Sequence, residues 1–152
     1  MGWRDQTAVC LATGFFIGRV PLAPGTFGSL LGLPLSAALA WSDLGPALLA
    51  AAAVLWAAVW AAGRAEALLG RRDAPAIVID EIAGMMVALA GLPFTPFNAA
   101  AGFLVFRVMD IIKPFPARRI DARMHGGAGI VLDDVVAGIY TNLILRLAAM
   151  LV

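Results

Sequence analysis

Charge is what this sequence has least of. Only 14% of its 152 residues are charged, 62% are hydrophobic, and the mean hydropathy is +0.91. A soluble domain carries about a quarter charged residues. A chain this short leaves too large a fraction of its surface exposed to hide that much apolar area from water. The scarcity of charge therefore excludes an ordinary water-facing globule, and lipid is the natural solvent. A single cysteine, Cys10, excludes an internal disulfide and a Cys-based zinc site, and reads as a buried, inert thiol. A single histidine, His125, argues against a histidine-built metal centre. No GxxxxGK[ST] and no GxGxxG is present, so nucleotide use is unsupported. No dense basic stripe or aromatic platform accompanies the net charge of +1, which speaks against nucleic acid as a partner.

What is present is arranged in runs. Residues 20–42, 44–63 and 82–106 hold no charge, and residues 135–152 are interrupted only by Arg146. Roughly 20 apolar residues cross a bilayer, and helix is the form that satisfies the backbone there. Prolines and glycines punctuate the chain into one domain, residues 1–152, with spanning helices expected near 27–41, 46–69, 80–93, 98–112 and 132 to the end. Residues 1–18 read as a retained first helix, interfacial or partly inserted, because Asp5 and the lack of a cleavage motif oppose a signal peptide. Residues 118–129 read as a charged, glycine-rich loop. The expected fold is thus an all-α, polytopic membrane bundle of about five hydrophobic helices. Arg64, Arg71 and Arg72 share one side with Lys113, Arg118, Arg119 and Arg123, which the positive-inside rule assigns to the cytoplasm.

Two phrases break the apolar pattern: IVIDEIAG at residues 77–84 and IVLDDVVAG at residues 130–138. With even alternation of turns, both acid pairs, the PGT stretch and residues 107–113 fall at the same membrane face. Carboxylates near hydrocarbon are expensive unless paired or metal-bound. Helix N-capping is the plainer reading, but the dipole favours an anion by only about 0.3–1 kcal/mol. Oxygen-only ligation by Asp80, Glu81, Asp133 and Asp134 would suit Mg2+. Gly84 and Gly138, four residues after Asp80 and Asp134, would let the two helices close on one ion.

Phosphate-binding groups accompany the acids. FRVMDIIKP puts Arg107, Asp110 and Lys113 on one helix surface, either as an internal ion-pair chain or as donors to phosphate oxygens. PLAPGTFGS offers Thr26 and Ser29 at a helix start, which is equally an ordinary turn. His125, in MHGGAG, is either a general acid–base or a structural turn residue. Mg2+ ligands beside basic and hydroxyl groups make a phosphoryl-transfer site, and its place at the interface makes a lipid phosphate the substrate. The rival class is a small transporter or ion-conducting protein, which predicts charges near the middle of the bilayer.

The order PGTFGSLLGLP, IVIDEIAGM, FRVMDIIKPFP and HGGAGIVLDDVVAG resembles the phosphatidylglycerophosphatase A family, over most of residues 18–142. The resemblance implies an all-helical, Mg2+-dependent phosphatase of the bacterial inner membrane, its site facing the cytoplasm. Such an enzyme releases inorganic phosphate from phosphatidylglycerophosphate, the last step of phosphatidylglycerol synthesis. It would place metal on Asp80, Glu81, Asp133 and Asp134, with Asp110 supporting, and substrate phosphate on Arg107 and Lys113 near Thr26 and Ser29. Catalysis would rest on Asp110, Asp134 and His125, by metal-activated water or through an aspartyl-phosphate. Neither the resemblance nor the residues speak to oligomeric state.

Overall fold

Apolar residues dominate the long segments, and helix is how they fold. The computed structural model describes residues 2–151, and among these there is no strand. Seven helices follow in order: α1 Trp3–Ala12, α2 Pro24–Ala40, α3 Leu44–Leu69, α4 Ile79–Leu89, α5 Pro96–Ile112, α6 Ala117–Arg123 and α7 Gly126–Ala149. A single 3-10 turn, Ile17–Arg19, joins α1 to α2. Each of the five segments expected to be helical is helical. Two of them, α3 and α7, are long and apolar enough to cross a membrane. At 26 residues α3 extends roughly 39 Å, whereas the 11 residues of α4 extend only about 16 Å. Large apolar side chains stay outside: Leu49 on α3 is 75% exposed and Trp56 73%.

Element boundaries differ from the sequence expectation where packing overrides local composition, and α4 ends at Leu89 rather than near residue 93. The PGT stretch is not a turn but the first turn of α2, with Pro24 at its first position, where a missing N–H costs nothing. The expected loop at 118–129 contains α6, and α7 already begins at Gly126. Gly126 takes a left-handed φ of 74°, whereas Gly127 and Gly129 serve close contact. A Cβ on Gly127 would run into the Val59 carbonyl of α3, and one on Gly129 would lie 2.6 Å from the Met124 carbonyl. Cys10 is half-buried on α1 rather than buried.

Small residues let the helices close up. Ala58, Ala61, Ala62 and Ala65 give α3 a narrow face against α1 and α7. Arg64 Nε donates to Asp5 Oδ1 at 2.8 Å, fastening α1 to α3 and holding the Asp5 carboxyl below its usual range. Gly28, Gly32 and Ser36 lay α2 along α4, where a Gly32 Cβ would sit 2.6 Å from Met85 Cβ. Against α7, α4 keeps one register throughout: Asp80 by Asp134, Gly84 by Gly138, Ala88 by Asn142. Hence α2, α4 and α7 run in one direction. In the opposite direction α3 brings Gly63 to Gly127, and α5 brings Arg107 to Ser29.

At the far end of this register α7 caps α4. Asn142 Nδ2 donates to the carbonyls of Ala88 at 3.0 Å and Ala90 at 2.9 Å. Arg146, the lone charge of its apolar run, donates to Ala90 O at 3.0 Å and to Asn142 Oδ1 at 2.7 Å. Asn142→Leu should therefore cost about 1–3 kcal/mol, since the Ala88 carbonyl loses its side-chain donor, Ala90 keeps only Arg146, and Arg146 loses the Asn142 oxygen that holds it. Thermal unfolding in detergent measures this; an unshifted midpoint would show that the cap contributes nothing.

Candidate active site

Both acid pairs sit on helices, but at different depths. Asp80 and Glu81 occupy the first turn of α4, whose N-cap, Val78, supplies no side-chain bond. Asp133 and Asp134 lie two turns into α7, beyond the first-turn reach of the helix dipole. A helix start therefore cannot account for Asp133 and Asp134, and it offers Asp80 and Glu81 no more than about 0.3–1 kcal/mol. What joins them is the contact of α4 with α7. A Cβ on Gly84 would stand 2.8 Å from the Asp134 carbonyl, and one on Gly138 would collide with the Gly84 carbonyl. Only bare backbone fits at this crossing.

The result is a cavity of about 300 Å3 walled by the starts of α2 and α4, the end of α5 and the buried face of α7. Carboxylate oxygens of Asp80, Glu81 and Asp134 lie within 4.8 Å of one another. Asp80 and Asp134 are 8% and 3% exposed. Asp80 Oδ1, Glu81 Oε2 and Asp134 Oδ2 are buried with no hydrogen-bond partner. Three such groups, if ionised, repel one another and gain nothing from solvent, so the arrangement calls for neutralisation, which a cation among them would supply. Three oxygen donors and no sulfur or nitrogen fit a hard divalent cation of the Mg2+ kind.

Asp133, expected to be a ligand, is not in this trio. Neighbouring helical residues point about 100° apart, and Asp133 turns to Lys113, its Oδ2 2.5 Å from Nζ. Its Oδ1 accepts the Asp134 N–H at 3.1 Å, so it braces the residue beside it. Lys113, the α5 C-cap with φ 49°, also stands 3.4 Å from Asp121. The expected Arg107–Asp110–Lys113 chain is therefore half realised: Arg107 Nη1 meets Asp110 Oδ2 at 2.6 Å, while Lys113 pairs across to α7 and α6. All three still line the cavity.

The hydroxyls are placed differently from expectation. Ser29 is fully buried; its Oγ donates to Gly25 O at 2.9 Å and accepts from Arg107 at 3.5 Å, so it orients the arginine. Thr26 is half-buried and does not line the cavity. Ala23, Pro24 and Gly25 form that wall instead. A Cβ on Gly25 would strike Glu81 Oε1, so this glycine is the room the carboxylate needs. His125 is exposed at the α7 N-cap, makes no capping bond and is not in the cavity wall. Two turns of helix, roughly 12 Å of axis, separate it from Asp133, which removes the geometric ground for a role in proton transfer.

Sequence reasoning missed Gly25, Asp73 and Asp121. Asp73 lies at the mouth of the cavity, its carboxyl raised by burial, an effect that Lys113 opposes and Asp121 reinforces. Nothing local distinguishes either aspartate, since both follow arginines in segments that read as solvated loop.

The profile of the family described as phosphatidylglycerophosphatase A matches residues 10–149. The chain belongs to the phosphatidylglycerophosphatase A family. It is accordingly a phosphatase. A phosphatidylglycerophosphatase A of Escherichia coli (strain K12) is 38% identical over 133 residues, 85% of this chain and 76% of that protein. Its namesake from Haemophilus influenzae is 38% identical over 137 residues, 88% of this chain and 83% of that one. A protein of Bacteroides thetaiotaomicron named putative phosphatidylinositol-3-phosphatase is 34% identical over 154 residues, 92% of each. No solved structure matches. The unpartnered carboxylates and the paired basic residues line one and the same cavity.

Proposed function

We propose that this member of the family hydrolyses phosphatidylglycerophosphate to phosphatidylglycerol and inorganic phosphate, with Mg2+, at the cytoplasmic face of a bacterial inner membrane. The observation that carries the proposal is the cavity itself. Three buried carboxylate oxygens without partners face Arg107 and Lys113 across one small space. Asp80, Glu81 and Asp134 would hold the cation, which when bound supplies charge neutralisation and Lewis acidity. Arg107, steadied by Ser29 and Asp110, and Lys113, steadied by Asp133, present fixed donors to the phosphoryl oxygens. A water oxygen attacks phosphorus in line, the P–O bond to glycerol breaks, and the glycerol oxygen leaves with the proton that the water gives up by way of Asp110. The cavity-lining Asp110 carboxylate takes the proton from the attacking water.

The relatives' names support the class of substrate, because each denotes a membrane lipid whose head bears a phosphomonoester. Large exposed apolar side chains and two helices of spanning length supply the membrane setting. The basic residues of the neighbouring loops support a cytoplasmic side for the cavity, by the positive-inside rule. Purified protein in detergent should release phosphate from phosphatidylglycerophosphate with Mg2+ and stop with EDTA. Well-folded protein that releases none would end this reading.

A further inference from the structure

Beside the carboxylate cavity opens a second recess, of about 540 Å3, that the hydrolysis described above does not use. Pro24 and Pro75 belong to the walls of both, so the two spaces are neighbours across a ridge of prolines. Their chemistry is opposite. The recess wall contains Arg19 and Arg71 and no carboxylate. Both side chains are exposed, and neither enters a salt bridge among the described residues. Arg19 rests its guanidinium 4.8 Å above the Phe16 ring, which leaves its N–H edge free.

The recess is held at a set position relative to the acids. Gly18 lets the 3-10 turn abut the segment leading into α4: a Cβ there would collide with the Ala76 carbonyl and lie 3.0 Å from Val78. Phe15, Phe16 and Ala23 keep left-handed backbone, with φ of 56°, 71° and 49°, a cost retained where surrounding structure dictates the path. Exposed Phe15, Phe16 and Leu22 give this segment an apolar edge suited to the glycerol and acyl region of a lipid.

We propose that Arg19 and Arg71 bind the internal phosphodiester of the lipid while its terminal phosphomonoester lies among the carboxylates. The assignment rests on the proposed function and deepens it: the two residues determine specificity. The substrate carries two phosphates joined by a glycerol, and the structure offers two adjacent spaces. The monoester goes to the space that a cation would complete. The diester, which keeps its ester bonds, needs only donors to its two free oxygens, and arginine forks supply them. Phosphatidic acid, a phosphomonoester directly on diacylglycerol, has no group for the second space.

The test compares phosphatidylglycerophosphate with phosphatidic acid in the same mixed micelles with Mg2+. In Arg19→Gln/Arg71→Gln the ratio of kcat/KM for the first over the second should fall about tenfold or more, chiefly through KM. Arg118→Gln/Arg123→Gln removes equal charge from α6 and should keep the ratio. An unchanged ratio in the first variant, or an equal fall in the second, overturns the proposal in favour of general attraction to an anionic surface. Where phosphatidic acid is not turned over, phosphatidylglycerol serves as inhibitor, since it carries the diester alone. Its inhibition constant should rise about tenfold in Arg19→Gln/Arg71→Gln, and an unaltered constant is equally fatal. Wild-type protein that releases no phosphate from phosphatidylglycerophosphate refutes the proposed function instead, so the two failures are distinct.

Discussion

Asp134→Asn should lower phosphate release by roughly three orders of magnitude while raising, or at least preserving, stability in EDTA. The two effects have one cause. Asp134 is nearly fully buried, its Oδ2 has no hydrogen-bond partner, and the carboxylates of Asp80 and Glu81 stand within 4.8 Å. With no cation present the site is a concentration of like charge that opposes folding, and an isosteric amide relieves part of it. With a cation present the same carboxylate is a ligand, and an amide is a poor substitute on a centre whose work is electrostatic. Binding that favours the folded state raises its melting temperature, by an amount that grows with the logarithm of ligand concentration over Kd. Mg2+ should therefore stabilise the wild type strongly and Asp134→Asn weakly. Equal Mg2+ stabilisation of both proteins, or near-normal turnover in the variant, would take Asp134 out of the site.

Gly84→Val should be the most damaging change outside the charged residues. A Cβ at Gly84 would stand 2.6 Å from Phe106 Cζ and 2.8 Å from the Asp134 carbonyl, and a valine adds two methyls beyond that. Neither neighbour gives way easily: Phe106 is fully buried, and the carbonyl is helix backbone. Overpacking of this kind costs about 1–3 kcal/mol or more. It also parts α4 from α7, so Asp80 and Asp134 separate. A displacement near 1 Å in a positioned site can cost about a hundredfold in rate. Gly45→Ala is the control, because nothing lies within 4 Å of a Cβ there, and it should be neutral or slightly stabilising. A Gly84→Val protein with wild-type melting and turnover would mean that the α4–α7 crossing is not what assembles the site.

How legible the site was depends on the residue. Asp80, Glu81 and Asp134 stood out because charge in an uncharged run is conspicuous, and Gly84 and Gly138 because they follow Asp80 and Asp134 at one spacing. Asp133 looked equivalent to its neighbour, and only the direction of Lys113 separates them. Ser29 and Thr26 read as hydroxyls at a helix start, yet burial of one and the turn of α2 away from the cavity by the other leave Gly25 in contact with Glu81. His125 was singled out for being the only histidine, a fact about composition that carries no position. Asp73 and Asp121 were invisible because their partner, Lys113, comes from another element.

By itself, the sequence determined that the chain is helical, that lipid suits its surface, and that its carboxylates collect at the mouths of apolar segments. These follow from composition and from the spacing of charges, which are properties of short windows. Tertiary structure alone decided that both acids of the first phrase meet only one acid of the second. The glycines four residues after Asp80 and Asp134 set the register of α4 against α7, and a helical step of about 100° then turns Asp133 to Lys113 and Asp134 to Asp80 and Glu81. The phrases IVIDEIAG and IVLDDVVAG look interchangeable in sequence, but where they meet, one residue of offset separates a member of the buried carboxylate trio from the partner of Lys113.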